Sequence, residues 1–163
     1  KQEWVSDDPQ NKGGFVYYPG HSMAGETNIA GRVAFRSYGS ASYAGLLSYI
    51  YADLKRDDPR VRAVYDWLRD NYTLEENPGM GTQGLYYYFH TMAKALTAMD
   101  VDEIKMTSGK PVDWRKELAF KLINLQRPDG SWVNDNGRWW ETDPVLVTAY
   151  AVIALERIHR ALE

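Results

Sequence analysis

The chain repeats itself, and that restricts its folds more than any other feature. Three loop-plus-helix units can be laid over one another. The first runs from Gly13-Gly14-Phe15 through a long loop to Ser37-Tyr38-Gly39-Ser40, where a helix opens. The second is Asn77-Pro78-Gly79-Met80-Gly81 followed by Gln83-Gly84-Leu85-Tyr86. The third is Gln126-Arg127-Pro128-Asp129-Gly130-Ser131-Trp132, a loop holding Trp139-Trp140, then Asp143-Pro144. One helical hairpin cannot bury its apolar face alone, so such units are expected to stack and share a core. Loop glycines supply positive φ, and a buried loop Trp is expected to clamp adjacent units.

The helices follow from spacing and caps. Asp58-Pro59 supplies an N-cap and a first-turn proline, and Val61, Val64, Tyr65, Leu68 and Tyr72 follow at helical spacing. A second helix is predicted from about Gln83 to Met99, with Leu85, Tyr88, Phe89, Met92, Leu96 and Met99 as its apolar stripe. A third opens at Asp143-Pro144 and is apolar almost all round from Val145 to Leu155, so it should be buried on more than one face. Trp114, Leu118, Leu122 and Leu125 give a stripe after Asp113, and Tyr43, Leu46, Leu47, Ile50 and Leu54 give another beginning near Ser40 or Ser42. Between them, Lys12 to Arg36, Leu74 to Thr82 and Arg127 to Glu141 read as loops, and Met99 to Pro111 as an exposed linker.

Composition narrows the function classes. A net charge of −3 gives no pull toward nucleic acid or an anionic membrane, and no apolar run is long enough to span a bilayer. Cysteine is absent, which removes disulfides, thiolate nucleophiles and Cys-ligated zinc, and leaves the compartment open between cytoplasm and export. Twelve Tyr and six Trp in 163 residues are unusual and read either as bulky core or as the wall of an aromatic-lined cavity. The chain is expected to form one domain over 1–163. Because it begins at Lys1, it is read as a processed product or part of a longer chain.

The third unit resembles the glutamine–tryptophan motif of squalene-hopene and oxidosqualene cyclases. Its core is Gln126, Gly130 and Trp132 at a helix end, with Pro144, Thr148, Ala149, Tyr150 and Ala151 following as in the inner helix of those families. The tract Gly79 to Thr91 is similar to bacterial proteins with prenyltransferase and squalene-oxidase-type repeats. The resemblance implies an all-α fold, an α/α toroid of helical hairpins, partial or open, with inner helices lining a cavity. A closed ring would need roughly twice this length, so more chain or a second copy is expected to cover the end repeats. By the same match Gln126 bonds a neighbouring helix end and Trp132 stacks on it, both structural.

No complete catalytic set is legible for either family chemistry. Cyclases protonate an alkene with an Asp-x-Asp-Asp motif, whose carboxyl must be held protonated by its neighbours. Asp100-Val101-Asp102-Glu103 comes near it but follows a helix in the linker and reads as a solvated acidic turn. Glu141-Thr142-Asp143-Pro144 occupies the corresponding place in the third unit, where Asp143 reads as an N-cap. Protein prenyltransferases use zinc held by Asp, Cys and His, and this chain has no Cys. His90 is either a cavity residue or a packed, hydrogen-bonded histidine. Asp57-Asp58 and Asp7-Asp8 each fail the spacing of a magnesium-binding terpene synthase motif, and His21 and His159 have no metal-spaced partner. No metal or cofactor is expected.

What remains is a polar-aromatic wall of Tyr38, Tyr43, Gln83, Tyr86, Tyr87, His90, Trp139 and Trp140, all in or near inner-helix N-termini. Such faces stabilise carbocations and bind hydrophobic or sugar ligands equally well; tyrosines bonding neighbouring repeats are the structural alternative. Three functions are therefore carried forward: a terpenoid cyclase- or prenyltransferase-like enzyme on an isoprenoid or other hydrophobic substrate, a non-catalytic ligand-binding or scaffold domain, and a carbohydrate-active α/α-barrel enzyme.

Overall fold

A computed structural model describes residue 8 and residues 10–160. Its elements in chain order are β1 (Glu26–Ile29), β2 (Arg32–Phe35), α1 (Gly39–Tyr51), α2 (Pro59–Asp70), α3 (Leu85–Ala98), β3 (Ile104–Lys105), β4 (Pro111–Val112), α4 (Trp114–Leu125) and α5 (Pro144–Arg160). The five helices fall where the apolar spacing predicts them.

The expected all-α toroid of hairpin repeats is overturned. Helical residues make up 47%, and two small antiparallel sheets make the fold mixed α and β. The reason lies in two segments read as loop and linker. Ala30 and Gly31 both take left-handed backbone, φ 50° and 78°, which is the two-residue turn that matches strand twist. Glu26 then pairs with Phe35 and Ile29 with Arg32. Ile104 pairs with Val112 across a turn containing Gly109, and Ile104 is buried, so the supposed exposed linker contributes to the core. Phe15 to Tyr18 forms no strand; Tyr18 makes only an isolated bridge to His21.

The helices share one core. α3 lies between α1 and α5, α2 packs on α1, and α4 packs on α5. Leu85, Tyr88, Phe89, Met92, Ala93, Ala95 and Leu96 of α3 are all buried, together with Tyr43, Leu46, Val64, Trp67, Trp114, Leu118, Leu122, Val147, Ala151 and Ala154 from the other helices.

Helix capping explains how the parts lock together. The first N–H groups of a helix have no partner inside it. α2 and α4 close their own ends: Asp58 accepts from the Arg60 N–H and Asp113 from the Lys116 N–H. α1 and α3 begin after Tyr38 and Gly84, which give no side-chain cap. Their caps come from distant loops. The Asn77 side-chain oxygen accepts from the Ser40 N–H at 2.9 Å, and the Pro78 carbonyl accepts from the Gly39 N–H at 2.9 Å. Glu141 does the same for α3, accepting from the Tyr87 N–H at 2.8 Å and the Tyr86 N–H at 3.3 Å. Each loop thereby fastens an earlier helix, so capping and tertiary order are one event.

Candidate functional site: the open stripe of the third helix

α3 is buried on most of its circumference, and the exception is a stripe at Tyr87, His90, Lys94 and Thr97, spaced as one helical face. Tyr87 is 41% exposed while its neighbours Tyr86 and Tyr88 are buried. Across the stripe lies Tyr150 of α5. Its ring stacks on the His90 imidazole at 5.5 Å and 29°, and meets the Tyr87 ring edge-on at 5.7 Å. His90 and Tyr87 are 6.4 Å apart. Three rings from two helices therefore form one aromatic surface, with contacts in the favourable range for such pairs.

Further groups extend the surface. Burial raises the phenol pKa of Tyr38, with Tyr87 and then Tyr17 adding to the shift. Burial lowers the His90 imidazole below the ordinary histidine value, helped by Lys94 and then Arg157. Lys94 rests on the face of Tyr51 of α1, 5.8 Å from the ring centre. The His90 Nδ1, Thr97 Oγ1 and Arg157 Nε atoms are buried without a hydrogen-bond partner.

The eight residues of the expected wall separate into groups. Tyr87 and His90 come together on the stripe, whereas Tyr38 is buried at the start of α1. Tyr43 and Tyr86 are core: the Tyr43 ring packs 5.7 Å from Tyr88, and burial raises its phenol pKa well above normal. Tyr86 packs edge-on against Phe89, and burial, then Glu141 and Asp135, push its phenol up to about 12. Gln83 is half-buried in the turn before α3, its carbonyl accepting from the Asn77 side chain. Trp139 and Trp140 belong to a separate turn. Both have left-handed backbone, φ 65° and 59°, which is strained for a bulky residue. Trp139 lies against Gly84 at the start of α3, and Trp140 is 78% exposed.

That turn exists to deliver Glu141. The Asn134 N–H donates to the Glu141 carbonyl at 2.7 Å, closing the loop. The Glu141 carboxylate, fully buried, then accepts from the Asn134 amide at 2.7 Å as well as from the α3 N-terminus. Three donors and the positive end of a helix engage it, so it holds structure.

The other motifs are also structural. Trp132 is buried; its indole N–H donates to the Leu122 carbonyl of α4 at 2.7 Å, and its backbone N–H donates to the Thr148 hydroxyl of α5 at 3.1 Å. Gln126 does not reach a neighbouring helix. Its amide donates to the Gly130 carbonyl within its own loop, at 2.9 Å. Gly130, at φ 84°, makes that tight return. Asp143 accepts from the Val145 N–H at 2.9 Å at the start of α5. Asp100 and Asp102 face solvent, paired with Arg56 at 3.0 Å and Arg115 at 2.9 Å.

Two grooves open elsewhere, of about 1110 and 860 Å³, and neither is lined by any of the eight wall residues. The first is walled by mixed charges, including those Arg56 and Arg115 ion pairs, and lacks the stacked aromatics of the stripe. Chemistry rather than volume therefore selects the stripe. Lys94, with Tyr150 and Arg157 across from it, belongs to the stripe; Tyr150 was placed on an inner helix from sequence, but none of the three was named as a site residue. The signal for Tyr150 and Arg157 was present, since they lie seven residues apart on one face of α5. No group of three or more His, Asp or Glu suited to hold a metal exists among the described residues, and no helix there is long and apolar enough to cross a membrane. Comparison with family models, with curated proteins and with solved structures finds no match to this chain.

Proposed function

We propose that this chain binds a small apolar or π-rich molecule on the Tyr87–His90–Tyr150 surface, as a binding domain rather than as an acid catalyst. The observation that carries the reading is the stacked His90–Tyr150 pair, half-open on a helix otherwise buried, with Tyr87 edge-on beside it. A flat or unsaturated ligand would gain ring contacts there as well as burying apolar area. An isoprenoid or another unsaturated hydrocarbon chain suits such a surface.

The two enzymatic readings have less support. Alkene protonation needs a carboxyl group free to give its proton, and the buried carboxylate near Tyr150, Glu141, is held by three donors. Glycoside hydrolysis needs two carboxylates flanking a sugar, whereas the groups gathered on this stripe are phenols, an imidazole and two cations.

A neutral naphthylamine dye tests the reading by fluorescence. The wild-type chain should bind it, and Tyr87→Ala with Tyr150→Ala should weaken binding about ten-fold, as expected for two lost ring contacts. Helical content by circular dichroism should stay unchanged. Equal dye affinity in the double variant would overturn the assignment.

A further inference from the structure

We infer that the ligand of this surface carries an anionic group, a carboxylate or a phosphate ester, seated between Lys94 and Arg157, with its apolar part against His90 and Tyr150. The inference rests on the binding reading above and names the chemistry of what binds.

The placement follows from helix geometry. Lys94 is one turn beyond His90 on α3, and Arg157 is two turns beyond Tyr150 on α5. The His90–Tyr150 stack fixes these two faces side by side. Ile153, 37% exposed, lies between Tyr150 and Arg157 on α5 and continues the apolar lining toward the cations. Burial, then Lys94 and Arg157, lower the proton affinity of His90, in keeping with that placement.

Among the described residues, Lys94 and Arg157 are half-buried with no carboxylate partner, whereas the half-buried Arg69, Arg115 and Lys121 are all paired and other cations without a pair, such as Arg62 and Lys116, are exposed. Lys55, Arg56, Arg60, Arg69, Arg115, Lys121 and Arg160 all form ion pairs. Lys94 lies over the Tyr51 ring, and the Arg157 Nε is buried with no acceptor among the described residues. Glu156, next to Arg157 in sequence, is taken by Arg160. A partly buried cation without an acceptor gains most from an incoming anion, and a guanidinium fork beside an ammonium fits a carboxylate or a phosphate. An apolar strip ending in two such cations selects an amphiphile with a negative head.

Four C8 probes differing only in the head test this by calorimetry: octanoate, octyl phosphate, octanol and octyltrimethylammonium. Octanoate or octyl phosphate should bind about ten-fold tighter than octanol, and the ammonium weakest. The better of the two anions identifies the head as carboxylate or phosphate. Lys94→Gln and Arg157→Gln should each remove most of the anion's advantage while leaving octanol unchanged. In the wild-type chain the advantage should shrink with added salt, a readout that needs no variant. Octanol and anions binding equally, or an advantage untouched by both substitutions and by salt, would overturn the inference while leaving the aromatic surface standing. Loss of all C8 and dye binding would instead overturn the surface itself.

Discussion

The two sides of α3 treat the same residue types in opposite ways. Away from the stripe, aromatic tips are tied to backbone. The indole N–H groups of Trp67, Trp114 and Trp132 each donate to a carbonyl at 2.7 Å, and the Tyr88 hydroxyl donates to Thr73 at 2.9 Å. Cations there are paired as well, Lys121 with Glu75 and Arg115 with Asp102. On the open side, rings contact one another, and Lys94 and Arg157 have no acidic partner among the described residues. A buried polar tip must be bonded or it destabilises the fold, so the first set is committed to folding. The second set makes no such bonds and is expected to add less to folding.

That contrast predicts unequal costs. Trp132→Ala should cost the most, about 3–5 kcal/mol of stability, because it removes a buried indole and its bond to α4. Chemical denaturation measures it, and a loss under about 1 kcal/mol would erase the distinction. Glu141→Ala follows at about 3 kcal/mol, since the Asn134 amide and two α3 N–H groups lose their acceptor in the interior. Amide exchange should show the first turn of α3 opening.

Tyr87→Ala with Tyr150→Ala should cost only about 1 kcal/mol, both being partly exposed. A loss as large as that of Trp132→Ala would place them with the committed set.

The pH effect of His90 is smaller still. Its folded pKa lies below the unfolded value of about 6.5, so the unfolded chain binds the proton more readily. The stability this gives is complete above that value and is lost as pH falls toward the depressed folded one. Thermal unfolding between pH 7.5 and 5 should therefore decline less steeply in His90→Phe than in the wild type. Least affected should be Arg56→Gln, which breaks an exposed pair with Asp100 and should change stability by under about 0.5 kcal/mol.

All five helices were legible from sequence because apolar periodicity and the cap pairs Asp58-Pro59 and Asp143-Pro144 are local signals. The β1–β2 hairpin was not, because its residues are mostly exposed and show no buried alternation; its clearest mark was Gly31 in a two-residue turn. Residues 99–111 hid a hairpin for a similar reason: each strand is two residues long. The eight residues of the expected wall do not form one surface. Tyr87 and His90 share one face of α3, but a one-residue step turns Tyr87 outward and Tyr86 inward, and the spacing alone did not tell which. Glu141 was noticed beside Asp143, yet its reach back to α3 spans more than fifty residues and leaves no local trace.

The division of α3 into a folding side and a binding side is tested most directly by nuclear magnetic resonance during titration with octanol. The ring signals of His90, Tyr87 and Tyr150 should move together and saturate, while the indole N–H signals of Trp67, Trp114 and Trp132 stay fixed. Movement of those three indoles with His90 unchanged would contradict the division.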